Sequence, residues 1–317
     1  METATVNKIT LNTQDMSKLE WLKERQKGIG GSDVAAILGL SKYRTPLDVY
    51  EEKVSDVPIQ SIETPRMKAG IRLEQVIADW FAEESGKKVI MDNKIRKHRE
   101  YPFLIANLDR VILAQNGEGT GVLECKTTNS FYARSWDTEV PPEYYCQLQH
   151  YLAVTGWKWG ELAILIDGYD FKRFYFDRDE EFITGMIEKL KEFWGHVENR
   201  IIPSPINEAD VLKLFPQEQT GKVITATPEL TRMIQELKTE KDRVKYITLG
   251  NDKLEESLKL LMGDAEAIQD SEGKVLITWK AAKDSQTFNS KLFKTKHPDL
   301  YSEFTETKQG SRRFILK

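Results

Sequence analysis

The sequence predicts a mixed α+β or α/β fold, in which a central mixed sheet is flanked by helices and followed by a C-terminal helical and small α/β extension. Three observations predict it. RMKAGIRLEQVIADWFAEESG (66–86) repeats apolar residues every three to four positions, the period of an amphipathic helix. Strand-like runs at 87–98, 104–114 and 119–128 follow it, then a helical stretch at 141–156, and then two more strand runs at 159–168 and 170–179. Beyond IIPSPINEAD (201–210), where two prolines interrupt the pattern, the period is helical over residues 228 to about 268.

Each element has a local reason. Residues 1–15 read as a polar lead-in. SKLEWLKERQKG (17–28) reads as a short helix with Leu19 and Leu22 on one side, closed by Gly28. GIGGSDVAAILG (28–39) is a Gly-rich turn into a helix, with Ser32 or Asp33 as the N-cap. TPLDVYEEKV (45–54) places Pro46 at a first helical position. The helix at 66–86 carries Leu73, Ile77, Trp80 and Phe81 on one face and ends at Gly86. QNGEG, between the second and third strand runs, contains the Asn-Gly pair of a tight hairpin. PPEYYCQLQHYLAVTG (141–156) starts with proline and stops with glycine, and 180–200 is a long amphipathic helix. The region 228–268 reads either as one helix or as a helical hairpin broken near TLGND. The end reads as strand KVLITWK, helix NSKLFKTKHPDLY and strand SRRFILK. The expected organisation is a core over 16–205 and an extension over 206–317.

Composition narrows the function. Hydrophobic residues make up 40% and charged residues 30%, an ordinary globular balance. No apolar run approaches the ~20 residues that cross a bilayer, so no membrane association is expected. The N-terminal METATVNKITLNTQDM lacks the basic and apolar segments of a secretory signal, which makes a cytoplasmic location the expectation. Cys125 and Cys146 form no CxxC pair, and the four histidines show no zinc-ligand spacing. Net charge is −4, but residues 274–317 carry ten Lys/Arg against four Asp/Glu. That basic tail is interleaved with Trp279, Phe288, Phe293, Tyr301 and Phe304, a mixture that suits either a small core with a basic rim or contact with nucleic acid.

The stretch with the most chemistry is NLDRVILAQNGEGTGVLECKTTN (107–129). On a strand, residues two apart share a face, so Glu124 and Lys126 project together and Cys125 points away. Hairpin pairing across QNGEG brings Asp109 near Glu124. Two ionised carboxylates side by side are costly unless a cation lies between them, and a hard divalent ion such as Mg²⁺ favours such oxygen ligands. A metal-bound water there suits attack on a phosphoryl group, with Lys126 stabilising charge. A surface ion pair fits the same three residues equally well. Gln147 and Tyr151 lie four apart on one helix face, Glu74 offers a third carboxylate, and Arg25 with the KGIGGSD turn offers phosphate contacts.

Four segments in order, EWLKERQKGIGGSDVAAILGLSKY, AGIRLEQVIADWF, LDRVI…GVLECKT and YYCQLQHYLAVTG, resemble the YqaJ-type viral recombinase family across residues 16 to 200. That family is grouped with phage lambda exonuclease in the PD-(D/E)xK superfamily. The resemblance implies a restriction-endonuclease-like core and a Mg²⁺-dependent (or Mn²⁺-dependent) exonuclease that resects double-stranded DNA ends, 5′ to 3′, for single-strand-annealing recombination. It implies Asp109 and Glu124 as metal ligands with the Cys125 backbone carbonyl, Glu74 beside the metal, and Lys126 as the catalytic lysine. Gln147 and Tyr151 match a Q-x-x-x-Y element, which implies Gln147 as a further catalytic residue and Tyr151 as a DNA-phosphate contact, while Arg25 and Ser32 match residues at the 5′-phosphate. A RecT-type annealing protein is the implied partner and a trimeric ring the implied oligomer. Leu108 stands where the superfamily motif has proline, and the gap from Asp109 to Glu124 fits a hairpin insertion. The same core chemistry also serves an endonuclease or nickase, and a degenerate core would leave a non-catalytic DNA-binding module.

Overall fold

The computed structural model describes residues 10–59, 63–134, 136, 140–308 and 310–317. Residues 1–9 of the expected lead-in lie outside them. The chain divides into two units, Met1–Lys213 and Leu214–Lys317.

The first unit runs β1 (Thr10–Asn12), α1 (Lys18–Gln26), α2 (Gly31–Ile37), α3 (Pro46–Val54), α4 (Pro65–Ser85), β2 (Val89–Met91), β3 (Lys94–Lys97), β4 (Ile105–Ala106), β5 (Arg110–Ile112), β6 (Gly121–Thr128), α5 (Ser130–Ala133), α6 (Pro142–Thr155), β7 (Trp159–Ile166), β8 (Asp170–Asp177), α7 (Glu180–Glu198) and α8 (Glu208–Leu214). Its central sheet has the order β2-β5-β6-β7-β8. It is mixed: β6 and β7 are parallel and the other pairs antiparallel. The parallel pair requires a crossover, and α6 lies within it. This is the mixed α+β core that the order of periods predicts.

The two faces of the sheet follow the alternation of its strands. Leu123, Cys125, Ala163 and Leu165 face α4, where they bury Ile77, Ala78 and Phe81. Leu162, Ile164 and Ile166 pack on Ala133 and Trp136. Local chemistry sets the ends of α4: Thr64 accepts the Met67 N–H at 3.2 Å, Pro65 occupies the first turn, and Gly86 closes it at φ +67°. In α6 every residue from Cys146 to Val154 is buried, so it behaves as a core helix rather than a surface one.

Two predicted strands are each two. The run 87–98 breaks at Asp92, whose carboxylate takes a bidentate contact from Arg96 at 2.8 and 2.6 Å. β2 stays in the central sheet while β3 joins a second sheet of order β1-β3-β4. The run 104–114 breaks at residues 107–109, where the chain returns from β4 to β5. Apolar content cannot show that one run serves two sheets. The lead-in likewise contributes β1, paired with β3. The N-cap of α2 is Gly30 rather than Ser32 or Asp33, and Asp33 accepts the Gly30 N–H at 3.1 Å from the first turn. The hairpin at QNGEG forms as expected, with Asn116 at φ +52° and Gly117 at +86°.

The second unit contains α9 (Pro228–Met262), β9 (Ala267–Gln269), β10 (Val275–Thr278), α10 (Ser290–Lys296) and α11 (Pro298–Glu303). Of the two readings of 228–268, one continuous helix is the structure. β9 pairs antiparallel with β10. Pro298, which cannot donate within α10, divides the expected last helix into two. SRRFILK (311–317) forms no strand. Among the described residues, no helix is long and apolar enough to cross a membrane.

Phe81 is fully buried between α4 and the sheet. Phe81→Ala should cost about 3–5 kcal/mol of stability, read as a lower urea midpoint with an unchanged slope. A loss below about 1 kcal/mol would mean that α4 does not pack on the sheet as described.

Candidate active site

The fold gathers residues that are far apart in sequence around the start of β5 and the middle of β6. Asp109 immediately precedes β5, and its Oδ2 accepts the Cys125 N–H at 2.9 Å. This ties the returning chain to β6 across the hairpin. Glu124, one residue before Cys125, is 1% exposed. Its Oε1 accepts from Lys126 Nζ at 2.5 Å and from Gln147 Nε2 at 2.5 Å. Gln147 Nε2 also lies 2.8 Å from the Tyr151 hydroxyl, so one turn of α6 holds both. The Lys126 ammonium sits over the Tyr144 ring, 5.5 Å from its centroid. Glu74 of α4 is half-buried near Asp109, with Oε2 3.9 Å from Arg110 Nη1.

The electrostatics of this cluster point one way. Burial, and then the Asp109 charge, push the Glu124 carboxyl up to about 8 against the ordinary 4.5, despite Lys126. Burial and Asp109 also raise Glu74. Burial alone would lower Lys126, but Glu124 and Asp109 outweigh it and raise its affinity for the proton. Every shift retains protons, which marks a site short of positive charge. Glu124 Oε2 is buried and has no hydrogen-bond partner among the described residues, whereas buried carboxylate oxygens normally have one. A divalent cation fits this deficit: it supplies charge and gives that oxygen a ligand. Asp109, Glu124 and the Cys125 carbonyl are oxygen donors of the kind Mg²⁺ takes while keeping waters. Among the described residues, no group of three or more His, Cys, Asp and Glu side chains forms a ready-made cage. The fit is therefore to an ion held by few protein oxygens.

The first motif lies against this cluster. A Cβ on Gly31 would fall 2.5 Å from Tyr151 Cε1 and 3.0 Å from Gln147 Cγ, so only glycine lets α2 approach α6 this closely. Arg25 Nη2 donates to Ser32 Oγ at 3.0 Å, which brings two of the three predicted phosphate residues together, while the hydroxyl of the third, Tyr151, is bonded to Gln147. Arg25 stacks on Trp21 at 4.9 Å, and its Nε is buried without a partner among the described residues.

Some residues of the site carry no readable signal in the sequence. Asp33 is fully buried; burial opposes its charge, but Lys53, Arg25 and Arg44 more than offset this and hold it far below the ordinary carboxylate range. Lys53 Nζ lies 2.8 Å and Arg44 Nη1 3.0 Å from its oxygens. These cations come from positions 11 and 20 residues downstream, with no common spacing. Arg110 is buried and donates to the Asp109 carbonyl at 2.6 Å and to Gln75 at 3.1 Å, bracing Asp109 from behind. Its position directly after the acidic residue was its only hint. His150 lies between Gln147 and Tyr151 but faces Ile105, whose carbonyl is 2.9 Å from Nε2, and burial lowers its pKa to about 4.

Residues 20–158 match the YqaJ-like viral recombinase domain. The YqaJ protein of Bacillus subtilis (strain 168) is 33% identical over 317 residues, covering 98% of this chain and 97% of the relative. The fold is similar to the crystal structure of an alkaline exonuclease (LHK-Exo) from Laribacter hongkongensis. The TM-score is 0.50 at 20% identity, with 57% of this chain and 93% of that one covered. The same enzyme in complex with dAMP matches at 21% identity and a TM-score of 0.50, with the same coverage.

Folded Glu124 keeps its proton to about 8, whereas an unfolded glutamate loses it near 4.5. Its contribution therefore favours the fold most fully below about pH 4.5 and fades as pH rises to about 8. In metal-free protein, Glu124→Gln should reduce the fall of thermal midpoint between pH 5 and 8 and raise the midpoint at pH 8. An unchanged pH profile in the variant would contradict this electrostatic picture.

Proposed function

The chain belongs to the YqaJ-like viral recombinase family, and from that premise we propose that it is a metal-dependent deoxyribonuclease, an exonuclease that resects double-stranded DNA ends. The observation that carries the reading is the buried Glu124, with one oxygen bound by Lys126 and Gln147 and the other unpartnered, beside Asp109. In this reading Asp109, Glu124 and the Cys125 carbonyl hold Mg²⁺ or Mn²⁺, with Glu74 nearby. The bound ion would supply Lewis acidity and a water of lowered pKa for hydrolysis.

The remaining work falls to the chain's own side chains. Lys126, held charged by Glu124 and Asp109, stabilises the negative charge that grows on the phosphoryl oxygens as the ester is cleaved. Gln147, anchored on Tyr151, fixes the rotamer of Glu124. Arg25, with Ser32, takes a terminal 5′-phosphate, which gives 5′ to 3′ polarity and positions the scissile ester one nucleotide in. The product is a single-stranded tail of the kind a RecT-type annealing protein would accept, which places the reaction in phage-type recombination.

An end-labelled linear duplex and a covalently closed circle, each with Mg²⁺ or Mn²⁺, test this. The linear duplex should be degraded and the circle left intact. Lys126→Ala should lower the rate about 10²- to 10³-fold, and equal rates would reject the site. Cleavage of the circle would favour an endonuclease on the same core, and inactivity with every divalent ion would favour a DNA-binding module. Arg25→Ala should remove a preference for 5′-phosphorylated over 5′-hydroxyl ends. A preference unchanged in that variant would reject the assigned role.

A further inference from the structure

Beside the first motif, and wholly within the first unit, three cations meet two carboxylates. Arg25 comes from α1, Arg44 from the loop between α2 and α3, and Lys53 from the last turn of α3; the acids are Asp33 and Glu52. Among the described residues this leaves one positive charge over, and the distances show which one. Arg44 gives both terminal nitrogens to carboxylates, with Nη1 3.0 Å from Asp33 Oδ1 and Nη2 2.6 Å from Glu52 Oε2. Lys53 Nζ lies 2.8 Å from Asp33 Oδ2 and donates to the Arg25 backbone carbonyl at 3.2 Å. Arg25 Nη2 stops 4.0 Å from the same Oδ2, outside hydrogen-bond range. Among the described residues, its side chain has one hydrogen-bond acceptor, the neutral Ser32 hydroxyl, and its Nε has none.

Arg25 stops short because Oδ2 is already full. A carboxylate oxygen offers about two lone-pair sites, and Oδ2 takes the Gly30 N–H at 3.1 Å and Lys53. The Asp33 and Lys53 side chains are both 0% exposed, so water competes for neither. Without Lys53, Asp33 would be a buried carboxylate short of a counter-ion, and such a charge draws in the nearest cation. That cation is Arg25, which would have about 1 Å to travel. Paired in this way, the guanidinium fork would be spent inside the protein and closed to a phosphate. We propose that Lys53 is a positioning residue for the 5′-phosphate site: by occupying the Asp33 oxygen nearest Arg25, it keeps that guanidinium unpaired and reserves it for the terminal phosphate of a DNA end. The inference rests on the reading of Arg25 as the residue that takes the 5′-phosphate.

The test is the binding of the full-length chain to a hairpin duplex with one blunt end, carrying either a 5′-phosphate or a 5′-hydroxyl. Binding is followed by the anisotropy of a fluorophore in the hairpin loop, in EDTA so that the end is not consumed. The wild type should bind the phosphorylated end about tenfold or more tightly. Lys53→Met should lower that ratio to the ratio of Arg25→Ala. Asp33→Asn/Lys53→Met removes both charges, a change that buried ion pairs often tolerate. It leaves Arg25 no carboxylate to collapse onto and should restore the wild-type ratio. A lysine that merely held α3 against α1 would not be rescued by a second substitution in the same cluster. A wild-type ratio in Lys53→Met, or a double variant that keeps the low ratio or does not fold, would overturn the proposal. If Lys53→Met alone does not fold, the ratio of the double variant decides. A wild type that binds both ends equally, and is matched by Arg25→Ala, would reject the phosphate role of Arg25 and this inference with it.

Discussion

The core of the first unit is organised around a buried carboxylate that the protein solvates on one side only. Glu124 sits on a strand whose neighbours are apolar, in a position that alternation would otherwise give to a hydrophobe. One oxygen receives an ammonium and an amide, and the other receives nothing from the protein. A carboxylate in that state is tolerable if it keeps its proton or acquires a cation. Asp109, tied to the next backbone amide on the same strand, makes the protonated form without a cation more favourable still. The surrounding structure enforces this juxtaposition: the hairpin aligns the two strands, Arg110 braces Asp109, and Tyr151 anchors the glutamine.

The glycine at position 31 connects this cluster to the first motif. Because it has no side chain, α2 seats on Tyr151 and Gln147, and Arg25 and Ser32 arrive at the edge of the carboxylate site. Asp33, one residue beyond Ser32, is neutralised by three cations from α1, from α3 and from the loop between α2 and α3. A buried ion cluster of this kind holds α1, α2 and α3 in a defined arrangement, though its net stabilisation is small once desolvation is counted. Its consequence is positional, since it fixes where Arg25 stands.

Much of this was legible in the sequence because it depends on short periods. Glu124 and Lys126 share a face by strand alternation, Gln147 and Tyr151 by helical period, and Asn-Gly sets the register between Asp109 and Glu124. The long helices were legible from their apolar period and their ends, Gly86 for α4 and an initial proline with Gly156 for α6. What could not be read depends on tertiary partners. The divisions of 87–98 and 104–114 arise because neighbouring segments join different sheets, and alternation does not report which sheet a strand enters. Asp33 reads as a helix cap because its three counter-ions come from separate places in the chain. SRRFILK has strand-like composition but forms no strand; β-propensity without a paired neighbour does not make a sheet.

That the carboxylate cluster is a cation site can be tested directly by titrating Mg²⁺ into the metal-free protein near pH 7 by calorimetry, in two buffers of different ionisation enthalpy. A cation that replaces the proton held at Glu124 must release it. The apparent enthalpy should therefore differ between the buffers by the difference in their ionisation enthalpies multiplied by the protons released, up to about one per site, and Glu124→Gln should lose both the binding and the release. Equal enthalpies in the two buffers, or Mg²⁺ binding unchanged in Glu124→Gln, would contradict it.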